Sequence, residues 1–425
     1  MKKVIFSPVS LSMANSSLGY AAARAGLCPC DRAWLPEGAA LPEVVGTVGS
    51  LYAADVVFVS CAWELEVPRL VSALAASGIE PFADSRPGTQ PLVIGGGPLT
   101  LSNPDLLAAV CDAVFIGEAD LSFKSIDSAI AGAGSRRDAL DSLARIPGMW
   151  VPASGAVAPI PITVRLPESP LHSGDSGSPN EFSDAFIVEV GRGCPRGCRF
   201  CVAFGGRRAS FYPVQTILDA IPEGTKRAGL LGAAVSDHPG IVEIVRELSA
   251  RDTGVTLGSL RADRVKLELV RMMADGGLRT LTVAADGSSQ RMRDLIAKGI
   301  TADHLNNAAD VARACGIKRL RVYVMIGLPG ETDDDVAEFA ALVNGIARDL
   351  HVIVSVSPFV PKRFTAFEGT PFAGVPVIRR AVSRLGGLLD RRVEVRAGSA
   401  RQAEVEHRLS TARLADARAV LFSTG

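Results

Sequence analysis

Three cysteines of this 425-residue chain are crowded into Cys194-Pro195-Arg196-Gly197-Cys198-Arg199-Phe200-Cys201, a C-x3-C-x2-C spacing. Thiolates are the usual ligands of iron–sulfur clusters, and a cubane has four irons. Three thiolates therefore leave one iron open to another ligand. Pro195 and Gly197 bend the loop so that three sulfurs can converge, and Arg192, Arg196 and Arg199 place positive charge around what would be an anionic cluster. A structural zinc site is the competing reading of the same residues, but it needs a fourth ligand. The five histidines, at 172, 238, 304, 351 and 407, lie far off in sequence, and His238 is the one expected at a strand end. A redox pair would leave the third thiol unexplained. The other cysteines, Cys28, Cys30, Cys61, Cys111 and Cys315, are spread out and read as small buried apolar side chains.

The loop follows directly on Phe186-Ile187-Val188-Glu189-Val190 and the turn Gly191-Arg192-Gly193, so it sits at the carboxyl end of a predicted strand. Further strands are expected near 228–235, 255–260, 279–284, 319–326 and 352–356, with helical stretches between them. Six such units predict a partial, open (βα)6 barrel over 185–400, with its chemistry at the strand carboxyl ends. Residues 1–150 alternate in the same way. Lys3–Phe6, Asp55–Ser60, Pro91–Ile94 and Ala113–Ile116 read as strands, and Pro68–Ser77 and Asp105–Val110 as helices. The expected fold class is thus α/β: a doubly wound parallel sheet followed by the barrel. Residues 151–184, with six prolines from Pro152 to Pro179 and a polar run over 172–178, read as a linker. Residues 401–425, rich in Ala, Arg and Glu, read as one helix packed on the outside.

Bulk composition fits an ordinary soluble protein with at least one large core, being 48% hydrophobic and 21% charged. The 45 basic and 45 acidic residues cancel, so net charge does not indicate a nucleic-acid partner. No run of about eighteen apolar residues suggests a membrane span. The first residues include two lysines with no long apolar run after them, and the expected location is cytoplasmic.

C-x3-C-x2-C with an aromatic residue before the last cysteine resembles the hallmark of the radical S-adenosylmethionine (SAM) superfamily, and the likeness continues along the barrel. Leu230-Leu231-Gly232-Ala233-Ala234-Val235-Ser236-Asp237-His238 stands where that family meets the SAM amino group, and Arg261 ends the third strand. Thr282-Val283-Ala284-Ala285-Asp286-Gly287-Ser288-Ser289-Gln290-Arg291-Met292-Arg293 resembles a motif reading TIAPEAGSERLR in relatives, with Asp286 in place of Glu and Ala285 in place of Pro. Tyr323-Val324-Met325-Ile326-Gly327-Leu328-Pro329-Gly330-Glu331-Thr332 resembles YFMIGLPGET, which lies along the adenine. The resemblance implies that Cys194, Cys198 and Cys201 ligate a catalytic [4Fe-4S] cluster. Phe200, Ser236, Asp237, Arg261, Ser289, Arg293, Ile326, Gly327 and Leu328 would contact SAM, with Arg293 and Ser289 on its carboxylate. It also implies reductive cleavage of SAM to a 5′-deoxyadenosyl radical, and an electron donor such as flavodoxin or ferredoxin.

Leu92-Val93-Ile94-Gly95-Gly96-Gly97-Pro98 and Asp112-Ala113-Val114-Phe115-Ile116-Gly117-Glu118-Ala119-Asp120 resemble the cobalamin-binding-type domain that precedes many such barrels, with Gly95, Gly96 and Gly97 as contacts to the cofactor. The axial signature D-x-H-x-x-G is absent and no histidine precedes His172, so cobalamin, as a candidate cofactor, would bind without an imidazole ligand. The reaction this points to is methyl transfer to an unreactive carbon, as a transferase. Three alternatives stay open, one of them a radical rearrangement without cobalamin. Methylthiotransferases also join an α/β domain to such a barrel, and Ala54–Cys61 is similar to one of their cysteine turns, although Gly95–Gly97 stand where a third cysteine is expected. The first domain could instead be a docking module for a partner or carrier protein. The substrate is not legible.

Overall fold

Runs such as Val4-Ile5-Phe6 and Val56-Val57-Phe58-Val59 have no polar face to turn to water, and such runs form strands buried on both sides of a parallel sheet. A computed structural model describes residues 1–159, 161, 166–174, 178–203 and 209–424. Parts of the expected linker (160, 162–165 and 175–177) and the residues 204–208 beyond the cysteine loop lie outside it. The chain divides into two units, one of residues 1–167, 171–184 and 408–425, the other of 168–170 and 185–407.

Among the described residues the first unit is built on seven strands: β1 (Lys3–Ser7), β2 (Asp31–Trp34), β3 (Glu43–Val45), β4 (Val56–Ser60), β5 (Leu92–Gly96), β6 (Ala113–Phe115) and β7 (Met149–Trp150). Their order is β3-β2-β1-β4-β5-β6-β7. The five central strands are parallel and the two edges antiparallel. With the parallel strands counted alone the order is 2-1-3-4-5, a doubly wound arrangement whose direction reverses between β1 and β4. Ligands of such sheets bind beyond the strand carboxyl ends at that reversal. The expected strands lie within a residue or two of β1, β4, β5 and β6, while β2, β3 and β7 are additions. Much of 171–184 packs with this unit: Ser12 Oγ donates to Glu181 Oε1 at 2.6 Å, and Asn15 Nδ2 to the Pro179 carbonyl at 3.0 Å.

The second unit carries β8 (Phe186–Glu189), a short hairpin of β9 (Gly191–Arg192) with β10 (Ser210–Phe211), and then β11 (Arg227–Leu231), β12 (Gly254–Leu257), β13 (Thr280–Asp286), β14 (Arg319–Ile326), β15 (His351–Pro358) and β16 (Val393–Ala397). Two parallel sheets, β12-β11-β8 and β13-β14-β15-β16, meet at a bridge between Leu260 and Val283. The result is an open parallel barrel, with β16 added beyond the six expected strands. Residues along β13 and β14 alternate between buried and partly exposed, as the two faces of a barrel wall require.

Residues 401–425 form two helices rather than one, Ala400–Thr411 and Leu414–Phe422. The break falls at Ala412-Arg413, where the buried Asn103 side chain donates to the carbonyls of Leu409 (2.8 Å) and Ala412 (3.0 Å). Among the described residues no helix is long and apolar enough to cross a membrane.

Candidate active site

The cysteine loop leaves the barrel at the end of β8 and is framed by the β9–β10 hairpin. Arg192 is locked inside by a two-pronged, buried ion pair with Glu189 (2.7 and 3.0 Å), which fixes where the loop begins. Further on, the Cys201 N–H donates to the Cys198 carbonyl at 3.1 Å and turns the chain back. Its middle is pinned on both sides of the backbone: the Arg199 N–H donates to Ile296 O (2.9 Å), and the Arg199 carbonyl accepts from the Ala366 N–H (3.0 Å). Phe200 lies on a small apolar cluster of Met292, Ile296, Leu328, Phe359 and Phe367. Strands β13, β14 and β15 thus all send their following segments under this one loop.

Cys194, Cys198 and Cys201 are in no disulfide, with Cys198 buried and the other two partly exposed. Burial pushes the Cys198 thiol up, while the nearby cations Lys298 and Arg261 pull it back down. Among the described residues no three His, Cys, Asp or Glu side chains gather around one metal position. The room the loop needs is also built in. A Cβ on Gly232, at the end of β11, would lie 2.9 Å from the Gly191 carbonyl. The donor set of three thiols in no disulfide, on a cation-flanked, apolar-backed loop, fits an iron–sulfur cluster.

The structure gives each expected SAM contact a definite setting. Asp237 is almost fully buried and accepts from Arg196, through Nη2 and through Nε (3.3 Å), and from Arg264 Nε (3.0 Å). Burial alone would raise its carboxyl, but these two guanidiniums outweigh it and hold the group below the usual carboxylate range. Asp237 therefore anchors the arginine between the first two cysteines. Ser236 is buried, and its Oγ accepts from the Arg261 N–H at 3.4 Å. Arg261 itself reaches Asp263 Oδ1 (3.0 Å) and the Lys298 carbonyl (2.9 Å). His238 is buried and neutral in its bonding pattern: Nδ1 accepts from the Gly240 N–H (3.0 Å) and Nε2 faces the Tyr212 carbonyl (2.9 Å). Burial holds its pKa down.

Ser289 and Arg293 are occupied elsewhere. Ser289 caps the helix Gln290–Leu295 by accepting from the Met292 N–H and donates to Asp335 Oδ1 at 2.5 Å. Arg293 is 1% exposed, and its three guanidinium nitrogens meet the Ile300 carbonyl (3.1 Å), the Gly287 carbonyl (3.4 Å) and Gln290 Oε1 (3.2 Å). Ile326 and Leu328 are buried at the end of β14, where Gly327 turns the chain with φ of 92°. That turn is held by Glu331, whose carboxylate accepts from the Gly327 N–H (2.6 Å) and from Ser288 Oγ, tying the loops after β13 and β14 together. Burial pushes the Glu331 carboxyl up despite those bonds. Sequence reasoning missed Glu331, Asp335 and Lys298 as organisers of the site. The closeness of Glu331 and Asp335 to the Gly-Leu-Pro-Gly turn was the available signal for two of them.

In the first unit, Gly95 and Gly97 are explained by close packing. A Cβ at Gly95 would lie 2.7 Å from Cys111 Sγ, and one at Gly97 would lie 2.4 Å from the Cys61 carbonyl. Gly96 has only ordinary contacts at its Cβ position. Cys61 and Cys111 are wholly buried, and burial raises both thiols, Cys111 to about 12.

Comparison with known proteins places both units. The family described as "Radical SAM superfamily" matches residues 188–343, and "Radical SAM proteins, N-terminal" matches 43–152. An uncharacterized protein, MJ0966 of Methanocaldococcus jannaschii, is 29% identical over 66% of this chain and 62% of its own length. An uncharacterized methyltransferase, PH0819 of Pyrococcus horikoshii, is 25% identical over 57% of this chain and 56% of its own. The ribosomal protein uS12 methylthiotransferase RimO of Desulfosudis oleivorans is 26% identical over 38% of this chain and 41% of its own. The solved structure of the cobalamin-dependent SAM radical enzyme OxsB, with aqua-cobalamin and SAM bound, has the same fold across 91% of this chain and 55% of that one, with a TM-score of 0.55 at 15% identity. The chain thus spans less than two thirds of the length of each of these proteins.

Proposed function

Because the chain belongs to the radical SAM superfamily, with a cobalamin-binding-like first domain, we propose that it is an enzyme that cleaves SAM reductively at a [4Fe-4S] cluster held by Cys194, Cys198 and Cys201 and transfers a methyl group to an unreactive carbon. The observation that carries this reading is the cysteine loop itself, fastened to the segments that follow the fourth, fifth and sixth long strands of the barrel. When bound, the cluster and SAM together supply the 5′-deoxyadenosyl radical; the protein supplies position and a dry surround. Asp237 and Glu189 fix the loop's arginines, and thereby the thiols. Phe200, Phe359, Phe367 and Leu328 present an apolar floor that keeps water from the reacting atoms. Glu331 holds the turn at Gly327, against which a flat adenine edge can rest. Reducing equivalents come from a small electron-transfer protein of the flavodoxin or ferredoxin kind.

The order of the first unit's sheet supports cobalamin as its ligand, bound beyond β1 and β4. Methylthio transfer is the second reading, favoured by the likeness to RimO. Metal analysis of anaerobically purified protein separates them on cluster stoichiometry: about four irons with cobalt for the first, about eight irons without cobalt for the second. Incubation with SAM and a reductant must yield 5′-deoxyadenosine in either case. Retention of that product by Cys198→Ala would overturn the site assignment.

A further inference from the structure

The two faces of the barrel wall differ in chemistry. On β14, Leu320, Val322, Val324 and Ile326 are buried, and the strand packs on the helices Ala302–Ala314 and Val375–Leu388. The alternate residues Arg319, Arg321, Tyr323 and Met325 therefore face the barrel interior. Met325 marks the top of that face, since it packs on the apolar cluster beside Phe200 of the cysteine loop. Arg321 lies four residues below it, a drop of about 13 Å along the strand. The parallel register sets Thr282 of β13 and Ile353 of β15 beside Arg321, and Ser355 of β15 beside Tyr323.

The hydrogen-bonding capacity of this face is unused. Among the described residues, no hydrogen bond or ion pair reaches the side chains of Thr282, Arg319, Arg321, Tyr323 or Ser355. Arg321 Nε is closed off from water and still meets no acceptor there, a condition that a buried donor keeps only at a cost. Glu394, in the same row on β16, does not supply one: it accepts from Arg396 Nε (2.6 Å), and His351 Nε2 faces it at 3.4 Å. Arg319, exposed at the start of β14, puts a second unpaired guanidinium on the same face, and the two charges repel. Tyr323 is 36% exposed, so the face is open to a ligand.

We propose that this interior face binds the substrate by an oxyanion, a carboxylate or a phosphate, seated on Arg321, with the Thr282 and Ser355 hydroxyls donating to the same group or to polar atoms next to it. A guanidinium presents paired N–H donors that match either anion, and binding one removes the repulsion between Arg321 and Arg319. The proposal rests on the radical SAM reading for where the reaction takes place, and it adds what is acted on. The substrate is an elongated anion whose charged end points down the barrel, away from the cysteine loop, and whose reacting carbon lies toward Met325. A neutral, wholly apolar acceptor would leave the buried Nε of Arg321 without a partner.

Phenylglyoxal, which condenses with unprotected guanidiniums, tests this on the full-length wild-type protein. The protein is labelled alone, with inorganic phosphate and with glutarate, all at one ionic strength, and adducts at Arg321 and at the exposed Arg391 are counted by peptide mass spectrometry. The expected result is that one or both anions slow labelling of Arg321 at least fivefold while Arg391 changes less than twofold. Protection by phosphate alone assigns a phosphorylated substrate, and protection by glutarate alone a carboxylate. Calorimetric titration of the protecting anion should then show at least tenfold weaker binding to Arg321→Met, with partial recovery in Arg321→Lys. An Arg321 that the reagent never reaches, one that neither anion protects, or one protected no better than Arg391 overturns the proposal, as does equal affinity in wild type and Arg321→Met. Should Arg321→Met fail to fold, the labelling of wild type decides. Formation of 5′-deoxyadenosine from SAM by reconstituted wild type is measured alongside. Its absence with Arg321 protected overturns the radical SAM reading and leaves the anion site standing, and its presence with Arg321 unprotected does the reverse.

Discussion

Replacing Asp237 with Asn should loosen the cysteine loop from within. The wild-type carboxylate, with a side chain only 2% exposed, is shared by Arg196, which is 25% exposed, and Arg264, which is 47% exposed. Breaking a fully buried ion pair costs about 3–5 kcal/mol. Here one partner is half in water and adds less than about 1 kcal/mol, so the loss falls near the lower end, at about 3 kcal/mol. If that energy holds the loop closed, its opening becomes about a hundredfold more frequent, at about 1.4 kcal/mol per factor of ten. Hydrogen exchange at the Arg199 and Cys201 amides, both bonded in the closed loop, reads this opening directly. Acid gives a second arm. A carboxyl held below its ordinary value of 3.8 contributes its stabilisation fully above that pH and loses it as pH falls through the lower folded-state value, so the difference between wild type and Asp237→Asn should shrink in strong acid. Exchange in the two proteins agreeing within a factor of three at neutral pH would refute the anchoring role.

Glu331→Gln keeps one acceptor and gains a donor for Ser288, so we expect thermal stability of the barrel within about 1 kcal/mol of wild type, against a loss of about 2 kcal/mol for Glu331→Ala, which strands the Gly327 amide. Asn103→Ala removes the donor to the Leu409 and Ala412 carbonyls, and limited trypsin digestion should then cut after Arg413 or Arg418 at least several times faster. Alkylation of the native protein should reach the exposed Cys28 quickly, whereas Cys61 and Cys111, wholly buried and with thiols raised by burial, should react only after unfolding.

Strands β1 and β4 were legible because each is a continuous apolar run of the kind a buried parallel sheet accommodates. Two of the strands that escaped are edges: β3 (Glu43–Val45) and β16 (Val393–Ala397) are short, charged and at most partly buried, which is how edges avoid pairing with other chains and also how they come to resemble loops. The break at Ala412-Arg413 carries neither Gly nor Pro; it is set by Asn103, some three hundred residues away, and no local pattern encodes that. At the site, spacing identified the three thiols but could not say which way a polar side chain turns. Arg293 is a plausible carboxylate clamp by type, yet it is inside the protein holding the Ile300 and Gly287 carbonyls. Lys298 went unnoticed because a lysine after a helix is ordinarily a solvated one, and only the position of Asp286 shows otherwise.

Mössbauer spectroscopy of protein reconstituted with iron-57, before and after adding SAM, tests the cluster assignment most directly. The account predicts four irons per chain, one of which changes its isomer shift when SAM arrives while three stay as they were. A cluster whose irons all ignore SAM, or a chain that takes up zinc at the cysteine loop in place of iron, would contradict it.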